Sequence, residues 1–171
     1  NLSTARDSIS FNLSGPLLLT VSAIFFNGIR LKRLTFNRFL LLSIVPITGI
    51  WFLAIRSTLG GSGILFSDNS NFATSGGYGP NQVSAVLGLG VLFCWLYLFT
   101  ARPTGRRFWL LGGIGLALLV QAILTFSRGG VFNLVIAIPL ASFFFTRSNK
   151  KVQKRIFAVL LLAGLAFYLL I

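Results

Sequence analysis

The sequence predicts an all-α protein, a polytopic transmembrane bundle of about six membrane-spanning helices. Three observations predict it. The 171 residues are 55% hydrophobic and only 10% charged, where a soluble domain carries about a quarter charged residues. Mean hydropathy is +0.87. Apolar tracts of membrane-spanning length recur, and the positive charges fall in the stretches between them. The whole chain, 1–171, reads as a single transmembrane domain.

The elements follow in order. Asn1 to Ser10 is a polar lead, without the basic region and apolar core of a cleavable signal. Segment one runs from about Phe11 to Ile29, with Gly15-Pro16 near its start, where a helix tolerates proline. Loop 30–38 carries Arg30, Lys32, Arg33 and Arg38. Segment two runs from about Phe39 to Ile55. Pro46 and Gly49 predict a kink in it, and Trp51 suits an interfacial belt. Loop 56–82 is long and holds six glycines, many Ser and Asn, and Asp68. Phe66, Phe72 and Tyr78 are its apolar exceptions, suited to docking on the membrane face or on a ligand. Pro80-Asn81 closes it. Segment three spans Val83 to Ala101, and loop 102–107 contains Arg102, Arg106 and Arg107. Segments four (Phe108 to Phe126) and five (Val131 to Thr146) follow. Loop 147–155 carries Arg147, Lys150, Lys151, Lys154 and Arg155, and segment six runs from Ile156 to the end. The missing starting methionine and the ending inside an apolar run suggest a piece of a longer chain.

Charge gives sidedness. The net charge is +13. On a soluble protein that balance points to nucleic acid. Between apolar tracts it points to topology and to membrane lipids as partners, and not to nucleic acid. Alternate loops hold twelve Lys and Arg, against Arg6, Arg56 and Arg128 in the opposite set. The twelve are expected to face the cytoplasm. Asn1 to Ser10, loop 56–82 and Ser127 to Gly130 then face outward, together with Asp7 and Asp68.

Several chemistries are excluded. The chain has no histidine and no glutamate. A Ser-His-Asp arrangement is impossible within it, and paired-carboxylate catalysis and metal ligation are poorly supported. No cofactor is implied, and no residue of this chain is assigned a catalytic role. Cys94 is the only cysteine and forms no intrachain disulfide. No ionisable residue marks a mid-membrane pathway, which argues against a transporter fragment.

The candidate site lies in the apolar tract from Phe108 to Thr146. Its 39 residues are roughly twice what crosses a ~30 Å hydrocarbon core at ~1.5 Å per residue. Thr125-Phe126-Ser127-Arg128-Gly129-Gly130 interrupts it, so two helices are expected, joined by a sharp turn at Ser127 to Gly130. Arg128 is then held at the outer face beside the N-terminus of segment five. A guanidinium fork and a helix N-terminus both attract phosphate oxygens, and glycine permits close approach to the backbone. A phosphate or diphosphate headgroup is the natural ligand. Arg128, Ser127, Gly129 and Arg56 are the candidate binding residues, with Tyr78, Asn81 and Gln82 as candidate contacts from the outer loop. The alternatives are an interfacial turn whose arginine only reaches lipid phosphates, an Arg56 that pairs with Asp68, and an Asn81 that only caps segment three.

These residues resemble a family. Leu124-Thr125-Phe126-Ser127-Arg128-Gly129-Gly130 between two apolar helices looks like the Ser-Arg-Gly signature of the O-antigen ligase and polymerase superfamily. Gly77-Tyr78-Gly79-Pro80-Asn81-Gln82-Val83-Ser84-Ala85 is similar to its Gly-x-x-x-Pro-Asn-x-x-Ala element, and the order and spacing fit. The resemblance covers about Leu40 to Ile171, less than half of a complete member. It implies a GT-C-like helical fold in the bacterial inner (plasma) membrane. It also implies a glycosyltransferase that moves a glycan from an undecaprenyl-diphosphate carrier to an acceptor sugar at the periplasmic face. The implied partners are a polyprenyl-diphosphate-linked glycan donor and a glycan acceptor. Arg128 would hold the diphosphate, with Ser127 and Gly129 shaping its turn. The family's catalytic histidine belongs to a later periplasmic loop, absent here. The alternative is a non-catalytic membrane subunit.

Overall fold

The structure, a computed structural model, describes residues 2–60, 72–125, 127–145, 150, 154 and 158. Five α-helices and one 3-10 turn make up its elements: α1 (Leu2–Phe26), α2 (Arg33–Gly60), the turn Ala73–Ser75, α3 (Pro80–Ala101), α4 (Arg106–Leu124) and α5 (Arg128–Phe145). No strand occurs among the described residues. The chain divides into two compact units, 1–32 and 33–171.

The first unit contains α1. It begins at Leu2, so the polar lead is helical rather than a separate tail. Pro16 lies inside the helix, and the Thr20 hydroxyl donates to the Pro16 carbonyl at 2.8 Å. Among the residues whose side chains are described, the helix contributes the apolar stretch Gly15–Phe26.

In the second unit α3 packs against α2, α4 and α5. Glycines set how closely. A Cβ at Gly90 would lie 2.7 Å from Ile47 Cγ2 on α2 and 2.8 Å from Leu118 Cδ1 on α4. One at Gly115 would lie 3.3 Å from Cys94 Cβ. Small residues at such crossings let helices approach where lipid offers no hydrophobic driving force. Ile44, Ile47 and Ala54 of α2, Val83, Leu87 and Cys94 of α3, and Leu111, Leu118 and Ala122 of α4 form the buried core. Trp51 packs against it half-buried. The outward faces are apolar as well: Leu42, Val45, Phe52, Trp109 and Leu116 are all more than half exposed. Such a surface suits lipid and not water.

Among the described residues three helices have the length and composition to cross a membrane: α2, α3 and α4. Among the residues whose side chains are described, α5 contributes the apolar stretch Asn133–Phe145, and segment six, Ala158 aside, lies outside the described residues. Several expected boundaries shift, by two residues at each end of α4 and further in α2 and α3. α2 starts at Arg33 and continues through Arg56 to Gly60, so long polar side chains at its ends did not stop the helix. It also continues through Pro46. α3 begins at Pro80 instead of Val83, because proline at the first helical position gives up an N–H that would be unpaired anyway. Loop 56–82 therefore shrinks at both ends and encloses the 3-10 turn. Phe66 and Asp68 lie outside the described residues.

The alternation of helices gathers like with like. The N-terminus of α2, the C-terminus of α3 and the N-terminus of α4 share one end, which carries Arg33, Arg38, Arg102, Arg106 and Arg107. At this end the Thr100 hydroxyl donates to Asn37 Oδ1 at 2.7 Å. The other end holds the 3-10 turn and the N-termini of α3 and α5. Among the described residues every buried polar side chain lies at this second end: Thr74, Ser75, Ser84, Gln121, Thr125 and Ser127.

Candidate functional site

The break between α4 and α5 is made by a threonine, not by the glycines. The Thr125 hydroxyl donates to the Ala122 carbonyl at 2.7 Å and accepts the Ser127 N–H at 3.3 Å. The chain turns there, and the helix resumes at Arg128. The turn expected at Ser127 to Gly130 thus lies further toward the N-terminus, and Arg128, Gly129 and Gly130 form the first turn of α5. Gly130 has a different use. A Cβ there would lie 2.5 Å from the carbonyl carbon of Ser84 and 2.6 Å from its oxygen. Only glycine lets the α5 backbone rest on α3 at this point. Close approach was expected of a ligand; at Gly130 it is made by a neighbouring helix.

Ser127 occupies the position just before α5, where serine is favoured as a cap. Its hydroxyl points across to α3 and donates to Asn81 Oδ1 at 2.7 Å. The Ser127 carbonyl accepts the Ser84 hydroxyl at 3.3 Å. The two motifs, Pro80-Asn81 and Ser127-Arg128-Gly129, thus meet at the joined N-termini of α3 and α5. Asn81 is not the cap of its own helix: Gly79 holds that position without a side-chain cap bond. The asparagine oxygen serves the neighbouring helix instead.

A second polar link holds the other side of this end. Gln121 of α4 is 2% exposed. Its amide donates to the Thr74 carbonyl at 2.7 Å and to the Thr58 hydroxyl at 3.0 Å. Thr58 in turn donates to the Ala54 carbonyl of α2 at 2.8 Å. One glutamine therefore ties α2, the 3-10 turn and α4 together. Gln121, Thr58 and Thr74 were not anticipated as part of the site. The available signal was Gln121 itself, a lone amide in an apolar tract, where an unpaired polar group costs several kcal/mol. Among the described residues no buried side-chain N or O atom lacks a hydrogen-bond partner, so the buried polar groups of this end satisfy one another.

The remaining candidates sit around this frame. The side chain of Arg128 and the surroundings of Gly129 lie outside what is described. Arg56 is exposed on α2. Two residues before Thr58, it lies about 200° round the helix from the face that meets Gln121, so the structure does not bring it into the polar cluster. Tyr78 is 62% exposed beside the start of α3. Asn81 and Gln82 are exposed too, and the Gln82 side chain folds against Gly79, where a Cβ would lie 3.5 Å from its Cδ and Oε1. Beside the junction, between α3 and α5, runs an open groove of about 250 Å³, lined by Ala85, Gly88, Leu92, Gly130, Leu134 and Ala137. Asn133 stands exposed on it.

The arrangement offers exposed amide groups and two helix N-termini with their positive dipole ends at one place. It offers no general base among the described residues, nor any cluster of three or more His, Cys, Asp or Glu. The chain is an all-helical membrane protein with a polar junction at one end of its bundle. Comparison with protein-family models, characterised proteins and solved structures gives no match to this chain.

Proposed function

We propose that this chain is part of a bacterial inner-membrane glycosyltransferase of the O-antigen ligase and polymerase type, with six crossings and a GT-C-like fold. It would move a glycan from an undecaprenyl-diphosphate carrier to an acceptor sugar at the periplasmic face, and this chain would supply part of the donor diphosphate site. The observation that carries the reading is the 2.7 Å bond from Ser127 to Asn81. Two separate motifs of the resemblance, 46 residues apart in sequence, are joined by their own side chains.

In this reading Arg128 opens α5 from a position fixed by Ser127, Asn81 and Ser84. The acceptor hydroxyl attacks the anomeric carbon, the bond from that carbon to the diphosphate oxygen breaks, and configuration inverts. Charge grows on the departing diphosphate, so an arginine beside it stabilises the transition state more than the ground state. The helix N-termini act in the same sense. In this reading the hydroxyl proton goes to the histidine that the resemblance assigns to a later periplasmic loop; these 171 residues contain none. The groove between α3 and α5, apolar and adjoining Gly130, suits the isoprenoid segment next to the diphosphate. Tyr78 and Gln82 lie exposed where a sugar would approach.

The test is release of lipid diphosphate. Purified full-length protein, given a polyprenyl-diphosphate-linked glycan and an acceptor glycan, is expected to release polyprenyl diphosphate and lengthen the acceptor. Stable binding to another membrane protein without such release, or without binding of polyprenyl diphosphate, would contradict the proposal and favour a structural subunit.

A further inference from the structure

The basic end of the bundle carries two open grooves that share a wall. One, of about 500 Å³, is bordered by Arg33, Asn37, Arg38, Leu41, Tyr97 and Ala101, between α2 and α3. The other, of about 570 Å³, is bordered by Leu41, Tyr97, Arg106, Arg107, Leu110 and Leu111, reaching α4. Leu41 and Tyr97 belong to both. Each groove therefore has an apolar wall and its own pair of arginines at the rim, and all four arginines are exposed.

These charges have almost nothing to pair with inside the protein. The whole chain has two acidic residues against fifteen Lys and Arg. A lone arginine near a membrane surface is satisfied by any lipid phosphate. Two arginine pairs flanking one apolar ridge present a more specific pattern. They match a lipid with two phosphates and several acyl chains, with one phosphate for each pair and chains lying along the exposed Leu41 and Leu110. Arginine forks hold phosphate oxygens two at a time, and basic pockets between transmembrane helices are known to take such headgroups. We infer that the paired grooves of α2, α3 and α4 form a binding site for a diphosphatidyl lipid of the cardiolipin class, separate from the polar junction at the opposite end. A fixed lipid there would brace the ends of three helices.

Native mass spectrometry of the full-length protein tests this, after detergent exchange with cardiolipin, with phosphatidylglycerol at equal charge, or with phosphatidylcholine. One cardiolipin is expected to be retained, at least about tenfold better than phosphatidylglycerol. The double variants Arg33→Gln/Arg38→Gln and Arg106→Gln/Arg107→Gln should each lower that retention by roughly ten- to thirtyfold. Leu41→Trp keeps every charge and fills the shared wall, so it should lower retention as well. If the glutamine variants do not insert, Leu41→Trp decides alone. Equal retention of cardiolipin and phosphatidylglycerol would overturn the inference, as would unchanged retention in Leu41→Trp.

Discussion

The hydroxyl of Ser127 and the side-chain oxygen of Asn81 lie 2.7 Å apart, and this bond joins the first turn of α3 to the residue just before α5. It fixes the start of α5 against the start of α3. Ser127 is 4% exposed, with its N–H, hydroxyl and carbonyl all engaged. Its part is to hold the start of α5, and the chemistry falls to what that start presents.

Removing the donor should therefore loosen the junction before it touches any ligand. Ser127→Ala removes the donor and is expected to cost about 1 kcal/mol of stability. The measurement is thermal unfolding of the purified protein in detergent. Asn81→Asp keeps the acceptor and adds a negative charge at a helix N-terminus, where it is tolerated or mildly stabilising. It should leave the melting temperature near that of the parent yet weaken binding of polyprenyl diphosphate, because the added charge repels the anion.

Gly130→Ala places a methyl group against the Ser84 backbone, which has no flexible end to move aside. Overpacking of this kind costs ~1–3 kcal/mol. Gly112, with open space around its Cβ position, is the control: Gly112→Ala should be neutral or slightly stabilising, since alanine favours helix. Parallel melting curves check the pair.

Gln121→Leu preserves volume but leaves the Thr74 carbonyl without the amide that reaches it at 2.7 Å. A buried acceptor stripped of its donor costs ~1–3 kcal/mol. The expected sign is loss of stability together with faster hydrogen exchange at residues 72–78, measured by mass spectrometry. Unchanged exchange there would show that the glutamine does not anchor the 3-10 turn.

Much of this architecture was legible in the sequence, for a definite reason. The helix end at Ala101 was readable because charge and hydrophobicity change abruptly there, and the membrane makes that contrast a physical requirement, whereas α4 starts at Arg106, two residues before the expected Phe108. Arg56 misled, since a long cationic side chain can extend from the last turns of a helix without ending it. The position of the turn after α4 misled for another reason. Glycine reads as a turn former, yet Thr125 makes the turn and Gly130 serves a helix crossing. Both motifs of the candidate site were visible, but their contact was not. A hydrogen bond between residues 81 and 127 belongs to tertiary structure, as does the link from Gln121 to Thr58 and Thr74. Neither leaves a period or a spacing in the sequence.

Arg128 carries the central claim, and its replacement tests that claim most directly. The measurement is transfer from a polyprenyl-diphosphate-linked glycan by full-length protein carrying Arg128→Ala, with expression and melting temperature recorded alongside. The account predicts that transfer falls by ~10²–10³ or more while the protein still accumulates and unfolds as the parent does, and that Arg128→Lys restores little, because a point charge lacks the paired fork. Undiminished transfer by Arg128→Ala would contradict the account.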